Sequence, residues 1–273
     1  MSDLPPPLLE READETRQEL FACDSSGAGP PLVLLHGLFG SARWWSRNVD
    51  AFTPHFRVHA LDLTGFGASR RHGRFRLESA LAGLIAWMDA AEIGRTCVVG
   101  HSLGGLLATR LAAEHPERME KVVLVDAALL ALDPGIRRRM VGFANEIWRT
   151  PADFIPTLAH DVLRADPSSV GAATYAMLNV DWRWALGRIA APTLIVWGER
   201  DTMAPRVIGE RMAAEIPGSR LEIVPDAGHN CMWDNAPAFN RLVLAFLRGL
   251  DPAAPSGDDD SPAAKPRRAE LAD

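Results

Sequence analysis

Ser102 lies between two glycines in the stretch Val98-Val99-Gly100-His101-Ser102-Leu103-Gly104-Gly105. An apolar run from Thr96 to Val99 leads into it and a helical run from Leu106 to Glu114 leads out. That reads as strand, tight turn and helix with a serine at the apex, the pattern of a nucleophile elbow. So sharp a turn strains the backbone at the serine, and side chains two residues to either side would collide with it. Glycine at both places removes the Cβ. The helix that follows directs its unpaired N–H groups toward the serine, where negative charge would be stabilised. Taken alone, Gly-x-Ser-x-Gly describes a Gly/Ser loop capping a helix equally well.

A serine hydroxyl is a weak nucleophile at neutral pH and needs a base within hydrogen-bond reach. Among the eight histidines, His229 in Asp226-Ala227-Gly228-His229-Asn230 is the candidate. It follows one strand-like run and precedes a helical one, which puts it on a loop at the same sheet edge as Ser102. His101 is on the wrong side of the turn and is expected to pack or hydrogen-bond beneath the elbow. His55, His59, His72, His115 and His160 read as surface or satisfied structural residues. A carboxylate must also orient the imidazole and stabilise its cation. Asp201, after the apolar run Thr193 to Trp197, and Asp126, at the end of the preceding run, are the two candidates.

These groups need a frame that brings them together. Short apolar runs at Leu32–Leu35, Thr96–Val99, Val122–Val125 and Thr193–Trp197 have the character of strands buried on both faces. Arg57–Asp62 and Leu221–Val224 are further strands, and a weakly alternating stretch from Leu8 to Cys23 suggests two short ones. Helices are expected at about Leu77–Ala91 and Pro237–Leu250, the latter with proline in its first turn. Strands alternating with helices imply an α/β fold: a mostly parallel central sheet with helices on both faces.

One interval departs from this rhythm. Between Val125 and Thr193 no good strand appears, only helical segments near Pro134–Trp148, Ala152–Arg164, Ser168–Leu178 and Trp182–Arg188. A crossover between parallel strands needs far fewer residues, so residues 127–186 are expected to form a helical cap on a core of residues 20–126 and 187–249. The cap carries Phe143, Trp148, Phe154, Trp182 and Trp184. Part of this set, Trp148 and Trp182 in particular, is expected to line a cavity over the serine with Phe39, Met203, Met232 and Trp233. Residues 250–273, rich in Ala, Pro and Asp, have a disordered composition.

Composition removes several function classes. The net charge is −6, without a basic run of the kind that binds nucleic acid. No apolar stretch is long enough to span a bilayer. The opening residues Met1–Glu12 lack the basic start and apolar core of a signal peptide. Cys23, Cys97 and Cys231 are odd in number and widely spaced, which suggests neither a disulfide framework nor zinc ligation. A cytoplasmic protein acting on a small molecule is expected, with no nucleic-acid or membrane partner. No metal cluster or phosphate loop implies a cofactor, and the oligomeric state is not encoded legibly.

Four motifs occur in one order: His36-Gly37, Asp62-x-x-Gly65-x-Gly67-x-Ser69, Gly100-His101-Ser102-Leu103-Gly104-Gly105 and Gly228-His229. Together they resemble the α/β-hydrolase superfamily across nearly all of residues 20–249. The segment His36-Gly37-Leu38-Phe39-Gly40-Ser41 is most similar to that of small cytosolic serine esterases. It lacks the proline that follows His-Gly in epoxide hydrolases and dehalogenases, which also use an aspartate where this chain has Ser102.

The resemblance implies a catalytic triad of Ser102, Asp201 and His229, with Asp126 as the position some branches use for the acid. It implies an oxyanion hole from the backbone N–H groups of Leu38 and Leu103, and a structural role for His36. The implied activity is hydrolysis of carboxylic esters through an acyl-enzyme intermediate, and the large aromatics of the cap over the serine favour short acyl chains. A thioester or a carbon–carbon bond in the same site is the alternative chemistry. A non-catalytic ligand-binding protein on this fold is the alternative of a different class.

Overall fold

The computed structural model describes residues 21–129, 131 and 150–250. Seven strands form one sheet: β1 Cys23–Ser26, β2 Pro31–Leu35, β3 Arg57–Leu61, β4 Thr96–His101, β5 Met119–Val125, β6 Thr193–Gly198 and β7 Arg220–Val224. Their spatial order is β1-β3-β2-β4-β5-β6-β7. Only β1 runs antiparallel, pairing Cys23 with Leu61; every other neighbour is parallel. The sequence reading did not anticipate β1, because Cys-Asp-Ser-Ser is a polar, exposed edge without alternation.

Among the described residues there are six longer helices: α1 Leu77–Ala90, α2 Leu103–Glu114, α3 Ile155–Arg164, α4 Pro167–Asn179, α5 Arg206–Glu215 and α6 Ala236–Arg248. Successive strand residues point to opposite faces, and the buried strands therefore feed two apolar layers. Val33, Leu35 and Val98 join a layer with α1, α2, α4 and α5. Leu32, Leu34 and Val99 join the other, with Trp44, Trp45, Phe52, Phe154 and α6. Helix α5 was absent from the sequence reading because Gly209 interrupts its pattern. The glycine serves contact: a Cβ there would lie 2.6 Å from the Trp197 ring.

Parallel register aligns the strand ends. Leu35 pairs with Gly100, His101 with Val125, Val125 with Val196, and Gly198 with Val224. The loops carrying His36, Ser102, Asp126, Asp201 and His229 therefore leave from one edge of the sheet, where ligands of open parallel sheets bind.

Helices α3 and α4 and the turn Arg183–Leu186 occupy the interval between β5 and β6. The expected helix Pro134–Trp148, with Phe143 and Trp148, falls outside the described residues, as do the expected strands before residue 21 and the tail from residue 251. No helix among the described residues is long and apolar enough to cross a membrane.

Candidate active site

The elbow is built at the end of β4. Ser102 has φ +50° and ψ −109°, a region that few side-chain-bearing residues adopt. The two flanking glycines are required by backbone rather than by the serine itself. A Cβ on Gly100 would lie 2.4 Å from the Gly104 carbonyl oxygen, and one on Gly104 would lie 2.3 Å from that of Leu35. Helix α2 begins at Leu103, so the Leu103 N–H is one of the first-turn donors without an intrahelical acceptor.

His229 closes on the serine from the loop after β7. Its Nε2 is 3.0 Å from Ser102 Oγ, and its Nδ1 is 2.8 Å from Asp201 Oδ2. The other Asp201 oxygen accepts from the backbone N–H groups of Met203 and Ala204 at 2.8 and 2.9 Å. The carboxylate is thus fixed by its own loop, and its side chain is fully buried beside the ring. Asp126 does not touch the imidazole through a hydrogen bond. It is buried, with φ +42°, and its Oδ1 accepts from Gly198 N–H at 2.8 Å. Burial, and next the charge of Asp201, push its carboxyl well above the usual range. Cys231 lies against it, and burial pushes that thiol well up as well, the reverse of what a nucleophile needs.

The loop after β2 forms the facing wall. Leu63 N–H donates to His36 Nε2 at 2.9 Å, so Nδ1 carries the proton and donates to the Gly37 carbonyl at 2.7 Å. Burial lowers the His36 pKa and keeps the ring in this neutral role. Phe39, at φ +66°, lines the same cavity as the serine. His101, expected beneath the elbow, is instead buried in the wall of the site between Trp44 and His229, its Nε2 2.9 Å from the His229 carbonyl oxygen, to which it donates. Burial again lowers its pKa, and the neighbouring His229 adds to the effect. A neutral His101 ring, 5.0 Å from that of His229, adds no second positive charge beside an imidazolium.

A cavity of about 70 Å³ lies over Ser102 and His229. Leu38, Phe39, Trp44, Leu158 and Met203 supply its apolar wall, with Thr150, His101 and Asn230 completing it. Among the described residues that line it there is no lysine or arginine. Larger surface depressions exist, one of about 490 Å³ between β1 and α1, but they contain none of these groups.

Of the expected pocket residues, Phe39 and Met203 line this cavity. Trp182, Met232 and Trp233 do not, and these three expectations are corrected. Trp182 is 1% exposed, donates to the Ala176 carbonyl at 3.3 Å and packs in the α2–α4 layer. Met232 and Trp233 follow His229 in sequence, but the helical turn Cys231–Asp234 rotates them into the opposite layer. Trp233 stacks on Phe154 at 4.5 Å. Trp184, also expected over the site, is 41% exposed on the surface. Trp148 falls outside the described residues. Sequence reasoning missed Trp44 and Leu158. The signal for Trp44 was its place just after the His36–Ser41 loop; Leu158 gave none.

Known proteins share the sequence pattern and the fold of this chain. The model of the alpha/beta hydrolase family matches residues 32–242. A 2-hydroxy-6-oxononadienedioate/2-hydroxy-6-oxononatrienedioate hydrolase from Burkholderia vietnamiensis is 30% identical, over 86% of this chain and 93% of that protein. Among solved structures, a hydrolase from Pseudomonas aeruginosa superposes with a TM-score of 0.71 at 27% identity, covering 83% of this chain and 94% of that one. An enol-lactonase from Burkholderia xenovorans gives 0.68 at 26%, covering 84% and 96%. This chain, with its elbow serine at the C-terminal edge of a mostly parallel sheet, belongs to the alpha/beta hydrolase family.

Proposed function

We propose that this chain is a cofactor-independent serine hydrolase that cleaves neutral carboxylic esters bearing a compact apolar acyl group. The observation that carries the proposal is the unbroken hydrogen-bond path from Ser102 through His229 to Asp201 at the base of a small apolar cavity. His229 Nε2 takes the Ser102 proton as Oγ attacks the ester carbonyl, and Asp201 stabilises the resulting imidazolium. The carbonyl oxygen, now negative, is held by the N–H groups of Leu38 and Leu103. His229 then gives the proton to the departing alkoxide. Water repeats the sequence on the acyl-enzyme: its proton goes to His229, its oxygen to the acyl carbon, and the proton returns to Ser102. The net change is ester plus water to acid plus alcohol.

The wall of the cavity supports an uncharged acyl group, since a buried carboxylate would need a cationic or multiple hydrogen-bonding partner. An enol-lactone is a cyclic ester, so the likeness to the lactonase is in keeping with this. In this reading residues 20–126 and 187–249 are the catalytic core, 127–186 the cap, and the partner is a small molecule. A cytoplasmic setting suits three free thiols.

A second reading is favoured by the relatives. A 2-hydroxy-6-oxo dienedioate carries a ketone and no ester, so its hydrolysis breaks a carbon–carbon bond, and proteins so named are about 30% identical to this chain. The same triad and oxyanion donors serve that chemistry, with an enolate-type carbon leaving instead of an alkoxide. Parallel assays with p-nitrophenyl esters and with a 2-hydroxy-6-oxo dienoate separate the two. Ester turnover that depends on Ser102 and exceeds dienoate turnover in kcat/KM supports the first; the reverse ranking installs the second.

A further inference from the structure

Among its described neighbours, α3 is docked in an unusual way. The one residue of the helix that is fully buried is a carboxylate, Asp161, at 1% exposure. Its apolar residues Ile155, Val162 and Leu163 are instead exposed at 49%, 42% and 85%. Asp161 Oδ2 accepts from Ser41 Oγ at 2.8 Å and from Trp44 Nε1 at 3.0 Å. Its Oδ1 pairs with the Arg43 guanidinium. All three donors belong to the turn that leaves the His36–Ser41 loop. Burying a carboxylate is costly unless its lone pairs are filled, and here three donors converge on one group.

We propose that Asp161 is a positioning residue: it braces the oxyanion loop and the Trp44 wall from the cap. The inference rests on the hydrolase reading above. The loop holds Phe39 at φ +66°, a conformation that strains a non-glycine residue and persists only where its surroundings fix it. His36 fixes the loop at one end, through Leu63 N–H and the Gly37 carbonyl. At the other end Ser41 and Trp44 both terminate on Asp161. Trp44 also meets Phe154 at 5.2 Å and His101 at 5.8 Å, so its indole is set between cap and elbow. Leu158, one turn before Asp161 on the same helix, lines the cavity. One cap helix therefore supplies a wall of the acyl site and anchors the loop carrying the Leu38 N–H. A donor to a developing oxyanion acts only where it is preorganised, so loss of the brace falls on kcat rather than on KM. The ion pair Arg47–Asp153 also joins the interval to the core, but both side chains are well exposed and such pairs contribute little. It is the natural control.

The test compares wild type with Asp161→Ala, Asp161→Asn, Ser41→Ala, the Asp161→Ala/Ser41→Ala double variant and Asp153→Asn. Hydrolysis of p-nitrophenyl acetate and a thermal melt are recorded for each. Asp161→Ala is expected to lower kcat about 10- to 100-fold with KM changed less than about threefold, the scale of a misplaced catalytic donor. Asp161→Asn, which keeps one acceptor, falls between it and wild type. The double variant loses less than the product of the single losses, and Asp153→Asn stays near wild type. The Trp44 indole N–H resonance in an NMR spectrum, assigned with Trp44→Phe, moves upfield in Asp161→Asn and Asp161→Ala. Folded Asp161 variants with unchanged kcat, or an unmoved Trp44 resonance, overturn the brace. Failure of the hydrolase reading looks different: wild type then shows no Ser102-dependent turnover, while the resonance still reports on the brace.

Discussion

His229 Nδ1 meets Asp201 Oδ2 at 2.8 Å, although a second buried carboxylate, Asp126, stands at the end of the neighbouring strand. The two acids differ in what already holds them. Asp201 is fixed by two N–H groups of its own loop and turns its free oxygen to the ring, whereas Asp126 accepts from Gly198 and anchors the loop that carries Asp201.

Asp201→Asn should therefore lower kcat by roughly 10³–10⁴-fold, as when the orienting acid of a triad is neutralised. Asp126→Asn should cost less than about tenfold, since an amide oxygen can still accept from Gly198 N–H. Steady-state kinetics on folded variants decide this, and the opposite ranking would move the acid to Asp126.

Asp126 also makes a prediction for stability. Its carboxyl is raised in the folded chain by burial and by Asp201. The folded form holds the proton more tightly than the unfolded one, so its contribution is fully present below the ordinary carboxylate range, about pH 4. It is lost as pH rises toward the folded value. Asp126→Asn, which cannot ionise, should gain in Tm relative to wild type as pH rises from about 4. A difference in Tm independent of pH would contradict the assignment.

The buried imidazoles work in the other direction. His36 and His101 have pKa values lowered chiefly by burial. Their contribution is present above the unfolded imidazole value, about 6.5, and is lost as pH falls below it. The melting temperature should drop on acidification through that range. His101→Gln, whose amide can still donate to the His229 carbonyl, should flatten the drop when melts are compared across pH.

The cavity predicts a chain-length limit. Its described walls leave about 70 Å³ over Ser102, and kcat/KM over a p-nitrophenyl ester series should peak at short chains. Leu158→Ala and Met203→Ala should shift that optimum to longer ones by removing wall. Trp182→Ala should leave the profile unchanged and cost about 3–5 kcal/mol of stability, as truncation of a buried aromatic does. A shifted optimum in Trp182→Ala would return that residue to the site.

The contrast between these residues shows what the sequence could carry. Ser102 and His229 are placed by strand ends and short turns, which leave local marks: a neighbouring glycine, an apolar run before each, a loop after; the same marks left Asp201 level with Asp126, and only the family resemblance preferred Asp201. The parallel sheet was legible because strands buried on both faces read as unbroken apolar runs. Trp182 was misplaced because an aromatic in a helical segment signals burial and not which layer buries it. Met232 and Trp233 were misplaced because adjacency to His229 says nothing of the helical turn that rotates them away. Asp161 left no mark at all: one carboxylate on an amphipathic helix looks solvated, and its three partners lie 117 to 120 residues away.

In the proposed mechanism Ser102 is the nucleophile of an acyl-transfer reaction. The direct test is peptide-resolved mass spectrometry after acid-quenching the enzyme during turnover of p-nitrophenyl acetate, in wild type, Ser102→Ala and His229→Ala. One acetyl group is expected on the peptide containing Ser102 in wild type, with none in Ser102→Ala and almost no turnover there. In His229→Ala acylation should be slowed along with deacylation, because one imidazole serves both steps. Acetylation that maps to another residue, or turnover that survives in folded Ser102→Ala, would contradict the mechanism.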